Sequence, residues 1–156
     1  MDEKRINEQM KELADKIGYK YKDLAHLKEA MNVTKVGNTS EPEYRCSRLA
    51  LVGDAVLKTV ISDMLYEKGY SRGNITMKKA TMENNQVFQK ISARLDIYRY
   101  AYNEEYFFDD APDEKRLPSG KHDVYVEAIT GAVFHDLGYR KCCKWVRETI
   151  IPLLLC

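Results

Sequence analysis

Ser47-Arg48-Leu49-Ala50-Leu51-Val52-Gly53-Asp54-Ala55-Val56-Leu57 is the stretch whose reading decides the fold. Turned at about 100° per residue, it opens a helix over roughly 45–68 that stops at Gly69. Leu49, Val52, Val56, Val60 and Met64 form one apolar stripe, and Leu57, Ile61 and Leu65 form a second on an adjacent face. A helix that is apolar on most sides is a buried helix. Asp54 falls on the flank shared by Ala50, Leu57, Ile61 and Leu65, so its carboxylate is expected to be buried. A buried carboxylate must be paired, protonated or bound to a metal.

A second segment, over about 122–136, repeats the pattern. Val124, Val126, Ile129, Val133 and Phe134 are apolar, and Glu127 lies among them. Gly131 stands one turn beyond Glu127, and Gly53 precedes Asp54. A glycine inside a helix costs about 0.5–1 kcal/mol relative to Ala. Two such glycines beside two acids predict helices packed closely enough to bring their carboxylates together. Facing carboxylates suit a hard divalent cation such as magnesium, which prefers oxygen ligands. Plain close packing is the alternative for each glycine taken singly.

Outward from these two helices the chain still reads as helical. Ile6, Met10, Leu13 and Ile17 make an amphipathic helix over 2–17, and Leu24, Leu27 and Met31 a short one over 22–31. Residues 36–44 and 109–120 carry the Gly, Pro, Asn and Ser of loops. One helix is expected from about 74 or 76 to 95, a short one within 98–106, and a closing one over 139–155 that Pro152 disturbs. The fold class is therefore all-α, with 1–156 as one domain at 156 residues and 44% hydrophobic content. Charge is nearly balanced at +1, which excludes a massively basic nucleic-acid coat but not a local basic face. No apolar run reaches the length of a membrane span, and the N-terminal residues are too polar for a secretory signal. Cys46, Cys142, Cys143 and Cys156 lack CxxC spacing and read as reduced thiols of a cytoplasmic protein. His26, His122 and His135 are scattered in the sequence, which argues against zinc.

The stretch 47–57 resembles the signature helix of ribonuclease III domains, Glu-Arg-Leu-Glu-Phe-Leu-Gly-Asp-Ala-Val-Leu. Gly73-Asn74-Ile75-Thr76 and Ala80-Thr81-Met82-Glu83-Asn84-Asn85 resemble that family's next turn and the helix ending in its Asn-Asn pair. Glu127-Ala128-Ile129-Thr130-Gly131-Ala132-Val133, followed by Asp136-Leu137-Gly138, is similar to its later acidic block. The three blocks occur in order across about 22–155. The resemblance implies a homodimeric helical domain with a basic valley for double-stranded RNA. It also implies a metal-dependent site in each protomer that hydrolyses phosphodiesters to a 5′-phosphate and a 3′-hydroxyl. The family's usual C-terminal double-stranded-RNA-binding domain is expected to be absent, which leaves room for a separate RNA-binding protein as partner.

The acid set is reduced. The family places two acids on the signature helix and an Asp-x-x-Glu pair on the later one. Here Ser47 and Ala50 stand at acid positions, and Asp54 is retained. Glu127 is retained, but the residue three before it is Val124. Asp123, four before, lies about 100° around the helix from that position. It reads as a first-turn acid favoured by the helix dipole, with a third-ligand role in shifted register as the alternative. A further family acid is Arg72 here. Asp54 and Glu127 are thus the candidate catalytic and metal-binding pair, for Mg2+ or Mn2+, similar to the compact Mini-ribonuclease III branch. Two carboxylates with waters and substrate phosphate complete one octahedral magnesium, but leave a two-metal site short of ligands. The alternative is a domain that has lost catalysis and acts by dimerising or holding RNA.

A duplex-binding face needs Lys and Arg at phosphate spacing. The candidates are Lys78, Lys79, Lys90 and Arg94, with Lys115, Arg116 and Lys121 as a thin version of the branch's basic loop. Tyr98, Tyr100, Tyr102 and Tyr106 read as packing or dimer contacts, since a duplex hides its bases. Arg140, Lys141, Lys144 and Arg147 around Trp145 form a second basic edge or a partner site. Leu51 and Leu65 give the signature helix more apolar surface than one small bundle hides, which fits burial against a second copy.

Overall fold

A helix pair forms the centre of the molecule, and the other described helices pack around it. The computed structural model describes residues 2–37, 40, 43–110 and 124–155. Its helices are α1 (Glu3–Lys16), α2 (Ala25–Met31), α3 (Ser47–Glu67), α4 (Arg72–Met82), α5 (Asn85–Arg94), α6 (Tyr125–Leu137), α7 (Tyr139–Trp145) and α8 (Ile151–Leu154). Short 3-10 turns occur at Tyr98–Tyr100 and Phe108–Asp110. The all-α expectation holds with one small departure. Two two-residue strands, β1 (Lys35–Val36) and β2 (Glu43–Tyr44), stand at the two ends of the segment read as loop over 36–44, paired antiparallel with Lys35 opposite Tyr44. Asp123, Lys115, Arg116 and Lys121 lie outside the described residues.

Among the described residues, the most extensive contact between two elements is that of α3 with α6. Every residue from Tyr125 to Val133 is buried, so α6 is the axis of the core. Its polar members show how tightly it is enclosed: Thr130 turns its hydroxyl back onto the Val126 carbonyl at 2.8 Å. Leu57 and Ile61 of α3 are fully buried, and truncating either to Ala should cost about 2–5 kcal/mol. The helix α2 packs on α6, and α1 closes over α2 with Ile6, Met10 and Leu13 inward. Tyr19 and the backbone amides of Lys22 and Asp23 all donate to Asp136, which ties the α1–α2 connection to the end of α6.

Two expected helices differ from the reading of the sequence. The segment 74–95 is two helices, because Asn84 caps the second by accepting from the Val87 amide at 2.9 Å. Likewise Ser71 caps α4, and that helix begins at Arg72 rather than 74 or 76. The closing helix changes pitch at a π turn, Val146–Ile150. The turn lies just before Pro152, which lacks a backbone donor and would collide with the carbonyl four residues back in α geometry. Trp145 belongs to the core, donating from Nε1 to the Ile17 carbonyl at 2.9 Å. Tyr100 and Tyr102 are buried as well, in line with packing rather than base stacking. No described helix is long and apolar enough to cross a membrane.

Candidate active site

The contact between α3 and α6 is made backbone to backbone. A Cβ placed on residue 53 would lie 1.7 Å from the Glu127 carbonyl oxygen. One placed on residue 131 would lie 2.1 Å from the Leu49 carbonyl oxygen. Only glycine permits this approach from both sides. The close packing expected from Gly53 and Gly131 is therefore present, and it sets the backbone beside Asp54 against the backbone of Glu127.

The environments of the two acids differ. Glu127 is buried at 5% exposure, as its surroundings in the sequence require. Asp54 is not buried: its side chain is 38% exposed and meets Lys58 Nζ at 3.0 Å. Its flank neighbours Ala50, Leu57, Ile61 and Leu65 are all buried, and Asp54 lies at the edge of that apolar arc beside exposed Lys58. Leu65 also departs from expectation, since it lies in the core, whereas Leu51 is 76% exposed. Ala50 is buried at the position where a family acid would stand.

Two residues that the sequence reading does not single out complete the site. Lys58 follows Asp54 at i,i+4, the spacing at which opposite charges meet on a helix, so its signal is local. The Asp54 contact holds the Lys58 ammonium above its ordinary range. Glu83, at the end of α4, is brought in only by the fold. Burial raises its carboxyl, Lys79 and Lys58 pull it back, and Asp54 pushes it up further. Lys79 Nζ lies 3.7 Å from Glu83 Oε1.

The basic candidates are dispersed. Lys78 is exposed, with Nζ 4.6 Å from the centre of the Tyr70 ring. Lys79 borders an open groove that also contains Lys58, Thr59, Ser62, Asp63 and Tyr66. Lys90 and Arg94 belong to α5, where Arg94 donates to the Leu153 carbonyl at the end of α8. On the closing helix Arg147 is committed to ion pairs with Asp63 at 2.8 Å and Glu67 at 3.1 Å of α3. His26 and His135, distant in sequence, meet as stacked rings 5.8 Å apart.

Among the described residues no group of three or more His, Cys, Asp and Glu is arranged to hold a metal ion. Asp54 and Glu127 are oxygen donors of the kind a hard divalent ion such as magnesium takes.

An acid-bearing helix pair joined through glycines, inside an all-helical domain, defines the class of the molecule. The chain belongs to the ribonuclease-III-like family, whose model matches residues 37–154. It is 29% identical over 148 residues to ribonuclease 3 of a Nitratiruptor species, covering 94% of this chain and 61% of that protein. It is 28% identical to endoribonuclease Dcr-1 of Drosophila melanogaster, over 80% of this chain and 7% of that protein. The chain thus spans about three-fifths of the length of the bacterial relative. The fold matches a solved nuclease domain of ribonuclease III from Campylobacter jejuni, reported for flexibility in a region involved in dimer formation. That match has a TM-score of 0.71 at 23% identity, covering 92% of this chain and 96% of the other.

Proposed function

We propose that the chain is a metal-dependent endoribonuclease that hydrolyses phosphodiester bonds in double-stranded RNA. The observation that carries this reading is the glycine contact, which brings the backbone beside Asp54 against Glu127, the two acids retained from the family pattern. Asp54 and Glu127 would hold one Mg2+, with Mn2+ as a substitute. When bound, such a cation polarises a phosphoryl oxygen and makes a bound water nucleophilic near neutral pH. Glu127 is enclosed by the core, and Asp54, 38% exposed, is the member of the pair that solvent and substrate can reach. Lys78 and Lys79 of α4 would contact duplex phosphates, and Lys90 and Arg94 of α5 would supply separate contacts. Recognition of this kind is electrostatic and reads the shape of the duplex rather than its bases.

The active form is a homodimer. Leu51 and Tyr66 of α3, with Met77 of α4, are each at least 70% exposed and supply the apolar surface for a second copy. Buried Ala50 favours a second reading, in which the domain dimerises and holds RNA without cutting it. Incubation of purified protein with a long, perfectly paired RNA and Mg2+ or Mn2+ tests the choice. The nuclease reading expects short duplex products ending in 5′-phosphate that vanish with chelator. Intact RNA with both metals, on every duplex tried, overturns it in favour of the binding module.

A further inference from the structure

The acid site carries its own cations. Lys58 Nζ meets Asp54 Oδ2 at 3.0 Å from one turn further along α3. From α4, Lys79 reaches Glu83 at 3.7 Å. Glu83 in turn interacts electrostatically with both Lys58 and Asp54. Asp54 and Glu83 thus each carry a lysine partner before any metal arrives. This pairing bears on the reduced acid set. A site built for two divalent ions needs enough negative charge to hold both close together. This chain has Ser47 and Ala50 where the pattern has acids, and a fixed positive charge on the Asp54 carboxylate.

We propose that Lys58 is a built-in counter-cation of the site: it neutralises Asp54 in place of a second divalent ion and weakens the hold on the first. The proposal rests on the reading of Asp54 and Glu127 as ligands. The electrostatics set its direction. A divalent ion approaching Asp54 gains the attraction of that carboxylate and meets the repulsion of the ammonium bound to it. The Lys58 side chain is 51% exposed, so solvent and salt screen that repulsion without removing it. Its loss should tighten divalent binding about tenfold.

The test is a Mn2+ titration of the whole chain, with free Mn2+ read by electron paramagnetic resonance. Wild type is compared with Lys58→Met, Lys58→Arg and Asp54→Asn, and circular dichroism confirms folding. Lys58→Gln takes the place of the methionine variant if the latter does not fold. Lys58→Met should bind Mn2+ about tenfold more tightly, Lys58→Arg should match wild type, and Asp54→Asn should lose binding. Unchanged or weaker binding by Lys58→Met, with binding still lost in Asp54→Asn, overturns the counter-cation and leaves the two-acid site standing. Binding that survives Asp54→Asn, or no binding by wild type or any variant, overturns the two-acid reading and the proposal with it.

Discussion

Gly53→Ala adds one methyl group and removes nothing, yet it should be among the most damaging single changes in this chain. The added Cβ would lie 1.7 Å from the Glu127 carbonyl oxygen and 2.8 Å from the Gly131 nitrogen. Both are backbone atoms of a buried helix and cannot rotate away. Restoring ordinary contact requires α3 and α6 to part by roughly 1.5 Å, which loosens the close-packed interface along its length. Overpacking of this kind costs about 1–3 kcal/mol or more. The helix propensity gained from Ala returns less than about 1 kcal/mol. A net loss of about 2 kcal/mol corresponds to a melting temperature lowered by about 6 °C for a chain of this size. Gly73→Ala is the internal control, since a Cβ there meets nothing within 4 Å. Thermal melts followed by circular dichroism should show Gly53→Ala far below wild type and Gly73→Ala level with it or slightly above. A Gly53→Ala variant as stable as wild type would refute the backbone contact between the helices.

Three further outcomes are expected. Changing Lys78 and Lys79 together to Ala should reduce the salt slope of RNA binding by about two units, one per lost phosphate contact, in filter-binding assays across a salt series. An unchanged slope places the RNA face elsewhere. Light scattering should give twice the monomer mass for wild type at micromolar concentration and the monomer mass for Leu51→Glu; a monomeric wild type refutes the dimer. Burial pushes the Cys46 thiol up to about 11 and the Cys142 thiol up to about 12. Each stabilises the fold in its protonated form, so the contribution is full below the ordinary thiol value and is lost as pH rises through 11 to 12. Urea melts across that range should show stability falling, and less steeply in Cys142→Ala.

The helix pair is legible in the sequence because its signals are local. A glycine beside an acid in an apolar helix is costly, and the cost has to be offset by something, here the approach of a second helix. The burial of Glu127 is legible for a similar reason, since Val124, Val126, Ala128 and Ile129 surround it in the sequence. The burial of Asp54 is overestimated because periodicity reports which flank of α3 is apolar but not how closely the neighbouring element covers it. Asp54 lies at the edge of the buried arc of α3, where it stays 38% exposed and pairs with Lys58. The break at Asn84 rests on the cap contact with the Val87 amide, which the reading of one long helix over 74–95 does not weigh. The Glu83 contribution and the meeting of His26 with His135 depend on elements far apart in the chain. No spacing rule reaches that far.

If Asp54 and Glu127 work as a pair on one divalent ion, each carboxylate charge is indispensable to cleavage. Glu127→Gln keeps the volume and the buried position of the side chain and removes only its charge, so it tests the pair most directly. Cleavage of a long RNA duplex in Mg2+, measured beside duplex binding by the same preparation, should be lost in Glu127→Gln while binding stays at the wild-type level. Glu127→Gln protein that folds, binds and still cuts at the wild-type rate would contradict the account.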